Sequence, residues 1–179
     1  MKNKTLKTFV IGFVLALLPL STFAQSVFDK FEDMDDVKIV VVNKSAFSLM
    51  SSIGQESDAE YFSLIKGLNE LKVFATENQD IAKQMQTTFN AYLKKSKLTE
   101  LMRVKDGNNV VKIYVKQTKD PNFVKELLMY VNATENGKKQ GVIVSLTGNI
   151  DLKKVSKLTA KMNIPGGEHL KDINSKKQK

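Results

Sequence analysis

The chain has 179 residues, no cysteine and one histidine, His169, which excludes disulfide scaffolds, thiolate chemistry and the clustered His and Cys ligands of zinc sites. Its 28 basic and 19 acidic residues give a net charge of +9, but the surplus sits at the two ends. Lys2, Lys4 and Lys7 precede the first acid, Asp29, and eight lysines against three acids fall from Asp151 onward, so the central stretch is nearly neutral and offers no basic face for nucleic acid.

Those first lysines open a secretory leader. An apolar run from Phe9 to Leu20, broken only by Gly12 and Pro19, is followed by small residues at Thr22 and Ala24. The run is short for a membrane span, which needs about 20 apolar residues. Cleavage after Ala24 is expected, dividing the chain into a leader (1–24), one domain (25–164) and a basic, disordered tail (165–179). A mature chain of about 155 residues is long enough for a sizeable core without covalent staples. No cysteine follows the leader, so the expectation is a soluble exported protein, periplasmic or secreted, and not a lipoprotein.

Val27–Met34 reads as a short amphipathic helix with Val27, Phe28 and Phe31 on one side and a solvated acidic face on the other. Val37–Val42 is a β-branched run of the kind found in buried strands. Asn43 or Ser45 can cap a helix carrying Ala46, Phe47, Met50 and Ile53, which Gly54 ends. A short helix is expected over Asp58–Gly67, then a strand from Leu71 to Thr76. Asn78 or Asp80 starts the clearest helix, whose stripe is Ile81, Met85, Phe89 and Tyr92, with Lys94, Lys95 and Lys97 at its C-terminal end.

The period then changes to two. Leu98–Val104 and Val111–Lys116 flank the turn Asp106-Gly107-Asn108, and Asp120-Pro121-Asn122 leads to strands near Val124–Ala133 and Gly141–Thr147. Four strands with short connections predict an antiparallel meander. A last helix carries Leu152, Val155, Leu158 and Met162, stopped by Pro165-Gly166-Gly167. The predicted fold class is α+β: two layers, a mostly antiparallel sheet with a four-strand C-terminal meander and helices packed on one face.

Catalytic chemistry finds no anchor in this pattern. His169 lies in the tail, so a Ser-His-Asp arrangement lacks a placed base. Glu56, Asp58 and Glu60 are close in sequence but fall in an exposed turn rather than across a cleft. The acids Asp29, Glu32, Asp33, Asp35 and Asp36 lack the alternation and turn glycine of a calcium loop. No glycine-rich phosphate loop is present. The expectation is therefore no enzyme activity, no metal and no cofactor. On the strand Val111–Lys116, Tyr114 shares a face with Lys112 and Lys116, and these three residues form the expected partner surface, a partly open basic patch.

The segment Phe28-Asp29-Lys30-Phe31, the strand Val37–Asn43 and the run Leu71-Lys72-Val73-Phe74-Ala75-Thr76-Glu77-Asn78 resemble the domain of unknown function 4252 family, exported proteins of Bacteroidetes. The resemblance spans nearly the whole mature chain, and its motifs are structural. It implies a role in envelope sensing, because such genes neighbour those of extracytoplasmic sigma factors and their regulators. Some relatives are lipoproteins, and this chain departs from them in lacking the lipid-accepting cysteine. The function expected is a non-enzymatic protein that binds an envelope partner, such as a sigma-factor regulator. The alternatives are a carrier or sensor of a small apolar ligand, held between the sheet and the helix of Ile81–Tyr92, and a hydrolase of unrecognised type. Export separates the protein from nucleic acid, and the basic tail is expected to make at most weak contact with an acidic membrane surface.

Overall fold

The computed structural model describes residues 26–53, 59–135 and 137–155, and within them the expected meander is formed. A 3-10 turn at Asp29–Phe31 precedes strand β1 (Lys38–Asn43), which runs directly into helix α1 (Lys44–Ile53). Asn43 ends the strand and starts the helix, its side-chain oxygen accepting the Ala46 backbone N–H at 3.0 Å. Helix α2 (Ala59–Lys66), strand β2 (Leu68–Thr76) and helix α3 (Gln79–Lys95) follow. The Asn78 side chain caps α3 by accepting from the N–H groups of Asp80 and Ile81. Strand β3 (Thr99–Asp106) turns at Gly107, whose φ of 56° suits a residue without Cβ, into β4 (Asn109–Gln117). Strands β5 (Phe123–Glu135) and β6 (Lys138–Asp151) complete the sheet.

All six strands pair antiparallel, in the order β1-β2-β6-β5-β4-β3. The meander thus ends beside β2, where Leu71 lies opposite Leu146 and Val73 opposite Val144. Helix α3 carries the chain from β2, beside the β1 edge, to β3 at the opposite edge. Alternation along the strands sorts the core into two clusters. Leu71, Val73, Ile113, Leu127, Met129 and Val144 point to one face, where Phe47 of α1 and Leu64 and Ile65 of α2 pack. Phe74, Leu128, Tyr130 and Ile143 point to the other, where Met85 and Phe89 of α3 and the aromatic pair Phe28 and Phe31 close over them.

The α+β class and the meander are as expected, within a sheet of six strands rather than a meander alone. Two features differ from the expectation. Helices flank both faces, because the strands are apolar on both sides: Phe74 and Ile143 need cover as much as Val73 and Val144 do. The first helix contracts to one 3-10 turn, which sets Phe28 and Phe31, three positions apart, above one another so that both are buried, while Val27 is exposed. Gly141 lets α3 approach closely, since a Cβ there would stand 2.8 Å from the Ala82 Cβ. Leu152 and Val155 are buried as expected. The rest of the last helix, the leader, Gly54, Glu56, Asp58, His169 and the tail lie outside the described residues.

Candidate functional site

Lys112, Tyr114 and Lys116 alternate along β4 and so share the face covered by α3. Tyr114 is half-buried, its ring edge-on to Phe89 with centroids 5.8 Å apart. Its hydroxyl donates to the Glu100 carboxylate at 2.6 Å, and Arg103 donates to the same oxygen. These two bonds hold the Glu100 carboxyl below the usual carboxylate range. Burial, and then the bond to Glu100, push the Tyr114 phenol above its ordinary value. Lys112 lies opposite Arg103 in register, and Lys116 opposite Glu126. Glu126 is buried and accepts the Tyr92 hydroxyl at 2.7 Å. Burial first, then this bond, raise the Tyr92 pKa above the tyrosine norm. Tyr114 therefore already has its partners, Lys112 lies close enough to Glu100 to act on its charge, and Lys116 is the exposed member of the three.

The acidic segment is exposed at Glu32, Asp33, Asp35 and Asp36, as expected, but Asp29 turns inward. Lys72, with a side chain only 10% exposed, donates to Asp29 at 2.5 Å and to Glu32 at 3.0 Å, with Glu70 at 3.9 Å. Burial alone would lower the Lys72 pKa, but the two hydrogen bonds and the nearby carboxylates outweigh it and raise the value. The alternation of β2 makes Lys72 look like a solvent residue; the folded-back 3-10 turn buries it instead. Asp36 is also engaged, its carbonyl accepting Thr76 Oγ1 at 2.7 Å and its carboxylate accepting Asn78 Nδ2 at 2.8 Å. An open cleft of about 580 Å³ lies beside these residues, lined by Asp36, Lys38, Thr76, Glu77, Lys138 and Gln140 among others. Within this lining Lys138 pairs with Glu77 at 3.0 Å.

A third open surface is the strand that the sequence pattern marks as buried. Among the described residues strand β1 is an edge, paired with β2 alone. Val40 is 51% and Val41 47% exposed, Ile39 is also exposed, and on the adjoining α1 Leu49 and Ile53 are 61% and 72% exposed. The opposite edge is built differently. Glu100, Arg103, Lys105 and Asp106 line β3, and a register irregularity interrupts it between Glu100 and Met102. Charges and bulges are how proteins keep an edge from pairing with another chain. Strand β1 has neither within Ile39–Val42. Its β-branched run carries no local sign of edge position, because strand order depends on partners far along the chain. Chemically, β1 offers a ladder of backbone N–H and C=O groups flanked by apolar side chains, the template for adding a strand.

Among the described residues no helix is long and apolar enough to cross a membrane. The comparison with curated proteins finds no match, and neither does the comparison with solved structures. The family model for a domain of unknown function, DUF4252, matches residues 31–158, from the buried Phe31 through every strand of the sheet, and the chain belongs to that family.

Proposed function

We propose that the protein is a non-enzymatic binding module of the cell envelope that engages a protein partner by sheet-edge pairing at β1. The observation that carries this reading is the contrast between the two edges, one charged and interrupted, the other apolar and regular. The secretory leader read from the sequence supports the envelope setting, and the family resemblance supports a link to sigma-factor regulators. Two further features favour binding over the alternatives. The space between α3 and the sheet, where an apolar ligand would sit, is filled by Phe28, Phe74, Met85, Phe89 and Tyr130, with Phe89 and Tyr130 rings 5.2 Å apart. The buried Lys72 donates to Asp29 and Glu32, and the buried Glu126 accepts the Tyr92 hydroxyl, so both are engaged inside the fold.

The test is photocrosslinking in the cell that makes the protein, with a photoreactive residue at Val40 or, as the comparison, at Lys105 on the opposite edge. A different protein captured from Val40 and not from Lys105 supports the reading. Capture of the same proteins from both edges, or of no other protein from Val40, would remove its basis.

A further inference from the structure

We infer that the first occupant of the β1 edge is a second copy of this chain, joined by two-fold antiparallel pairing of β1 with itself. The inference rests on the reading of β1 as a docking edge and names what docks there. Three observations converge on a copy.

The strand is self-complementary. In an antiparallel ladder, residues directly opposite each other point to the same face, so a strand paired with itself must place one residue on the two-fold axis. With Val40 on the axis, Ile39 faces Val41 of the second copy and β-branched side chains meet in the middle of the seam. Shifting the axis to Val41 would set Ile39 opposite Asn43 of the second copy and break the apolar match. Antiparallel pairing also keeps the two copies of Lys38 at opposite ends of the seam, where parallel pairing would set them side by side. Charge therefore favours the antiparallel direction, and the apolar match favours the Val40 register.

The apolar surface beside the strand obeys the same symmetry. Helix α1 leaves β1 at Lys44 without a loop and carries the exposed Leu49 and Ile53. A two-fold through Val40 brings the two α1 helices to the same side of the extended sheet, where these side chains can cover one another. An isolated extended peptide added to β1 would satisfy the backbone but would bring no second α1 helix to cover Leu49 and Ile53.

The native chain has no cysteine, so an introduced one reports the register directly. Strand partners directly opposite have Cα atoms about 4.5–5.5 Å apart, within disulfide range. The full chain is expressed in its cell, purified and followed by light scattering across a concentration series. The expected result is a concentration-dependent dimer. Val40→Cys should crosslink that dimer on mild oxidation, and Lys105→Cys should not. Val40→Lys, at a half-exposed position that the monomer tolerates, should weaken dimerisation by about tenfold or more by placing two ammonium groups across the axis. Its circular dichroism should remain that of the unaltered chain.

A chain that stays monomeric at every concentration, a dimer indifferent to Val40→Lys, or a dimer crosslinked equally at both edges would overturn the inference. If the chain is monomeric while Val40 captures a different protein in the cell, the copy is wrong and the docking edge stands. If the Val40 dimer forms and no other protein is captured there, the copy stands and the proposed envelope partner falls.

Discussion

The Lys72 ammonium and the Asp29 carboxylate, 43 positions apart in the chain, meet at 2.5 Å on the sheet face that α3 covers. Glu32 adds a second bond at 3.0 Å, so a single buried lysine fastens the N-terminal turn over β2. The same turn inserts Phe28 and Phe31 against Phe74, with ring centroids 6.4 and 6.2 Å away. Ion pair and aromatic contact thus hold one short segment that has little regular structure of its own.

Replacing Lys72 by Met should destabilise the fold by about 2–4 kcal/mol, because it leaves the largely buried Asp29 beside other carboxylates with no counter-charge. Asp29→Asn should cost less, since Glu32 still reaches the ammonium. Urea unfolding of the two variants checks the order; an equal or reversed cost would contradict the clamp.

Alkaline pH should loosen the protein. Lys72 has its pKa raised above the ordinary 10.5, so its contribution is complete below that value and is lost as pH rises through the higher folded value. The phenols of Tyr92, Tyr114 and Tyr130 are raised above 10 chiefly by burial, and their contributions likewise fade as pH climbs past 10 and through their folded values. The urea midpoint should hold from neutral pH to about pH 9.5 and fall beyond pH 10.5. A midpoint flat across that upper range would contradict the burial of these groups.

Asn78 both caps α3 and donates to the Asp36 carboxylate at 2.8 Å. Asn78→Ala should cost about 1 kcal/mol through the lost cap. Asn78→Asp keeps the cap but sets two carboxylates together, so its deficit should appear at neutral pH and shrink as the solution is acidified towards pH 4. Thermal melts of both variants at the two pH values separate the roles.

Gly141→Ala should cost about 1–3 kcal/mol, because the added methyl meets the Ala82 Cβ at 2.8 Å. Ala82→Gly alone should cost about 1 kcal/mol in helix propensity. The double variant should cost clearly less than the two together, since the smaller residue restores the space. Additive costs would mean that α3 does not rest on β6 at this point.

Local patterns carried much of the fold. The stripe Ile81, Met85, Phe89 and Tyr92 is the inner face of α3, Asn78 is its cap, and the Gly107 turn joins β3 to β4 as its composition demands. The strands reach beyond their expected limits: β2 starts at Leu68, where Leu68 is buried, and β6 extends from Lys138 to Asp151. What escaped local reading was set by distant partners. Lys72 alternates like a surface residue until Asp29 folds back over it. Tyr114 looks available until Phe89 and Glu100 claim it. Val40 looks buried because a valine-rich run is written alike for a central strand and for an edge.

Strand β2 pairs with β6 along its length, and this seam sets the timetable by which the chain acquires its fold. As the polypeptide is made, β1 and β2 are finished while most of the sheet does not yet exist, and they can pair only with each other. Strands β3, β4 and β5 then assemble as neighbours, but no strand pairing links them to the first pair until Lys138–Asp151 emerges. Closing that distant contact carries the largest loop-closure cost in the sheet. A chain cut short before Lys138 would hold two half-sheets, each with its inner edge open. The last-made strand is therefore the keystone, and the protein commits to its structure only when nearly all of it has been delivered.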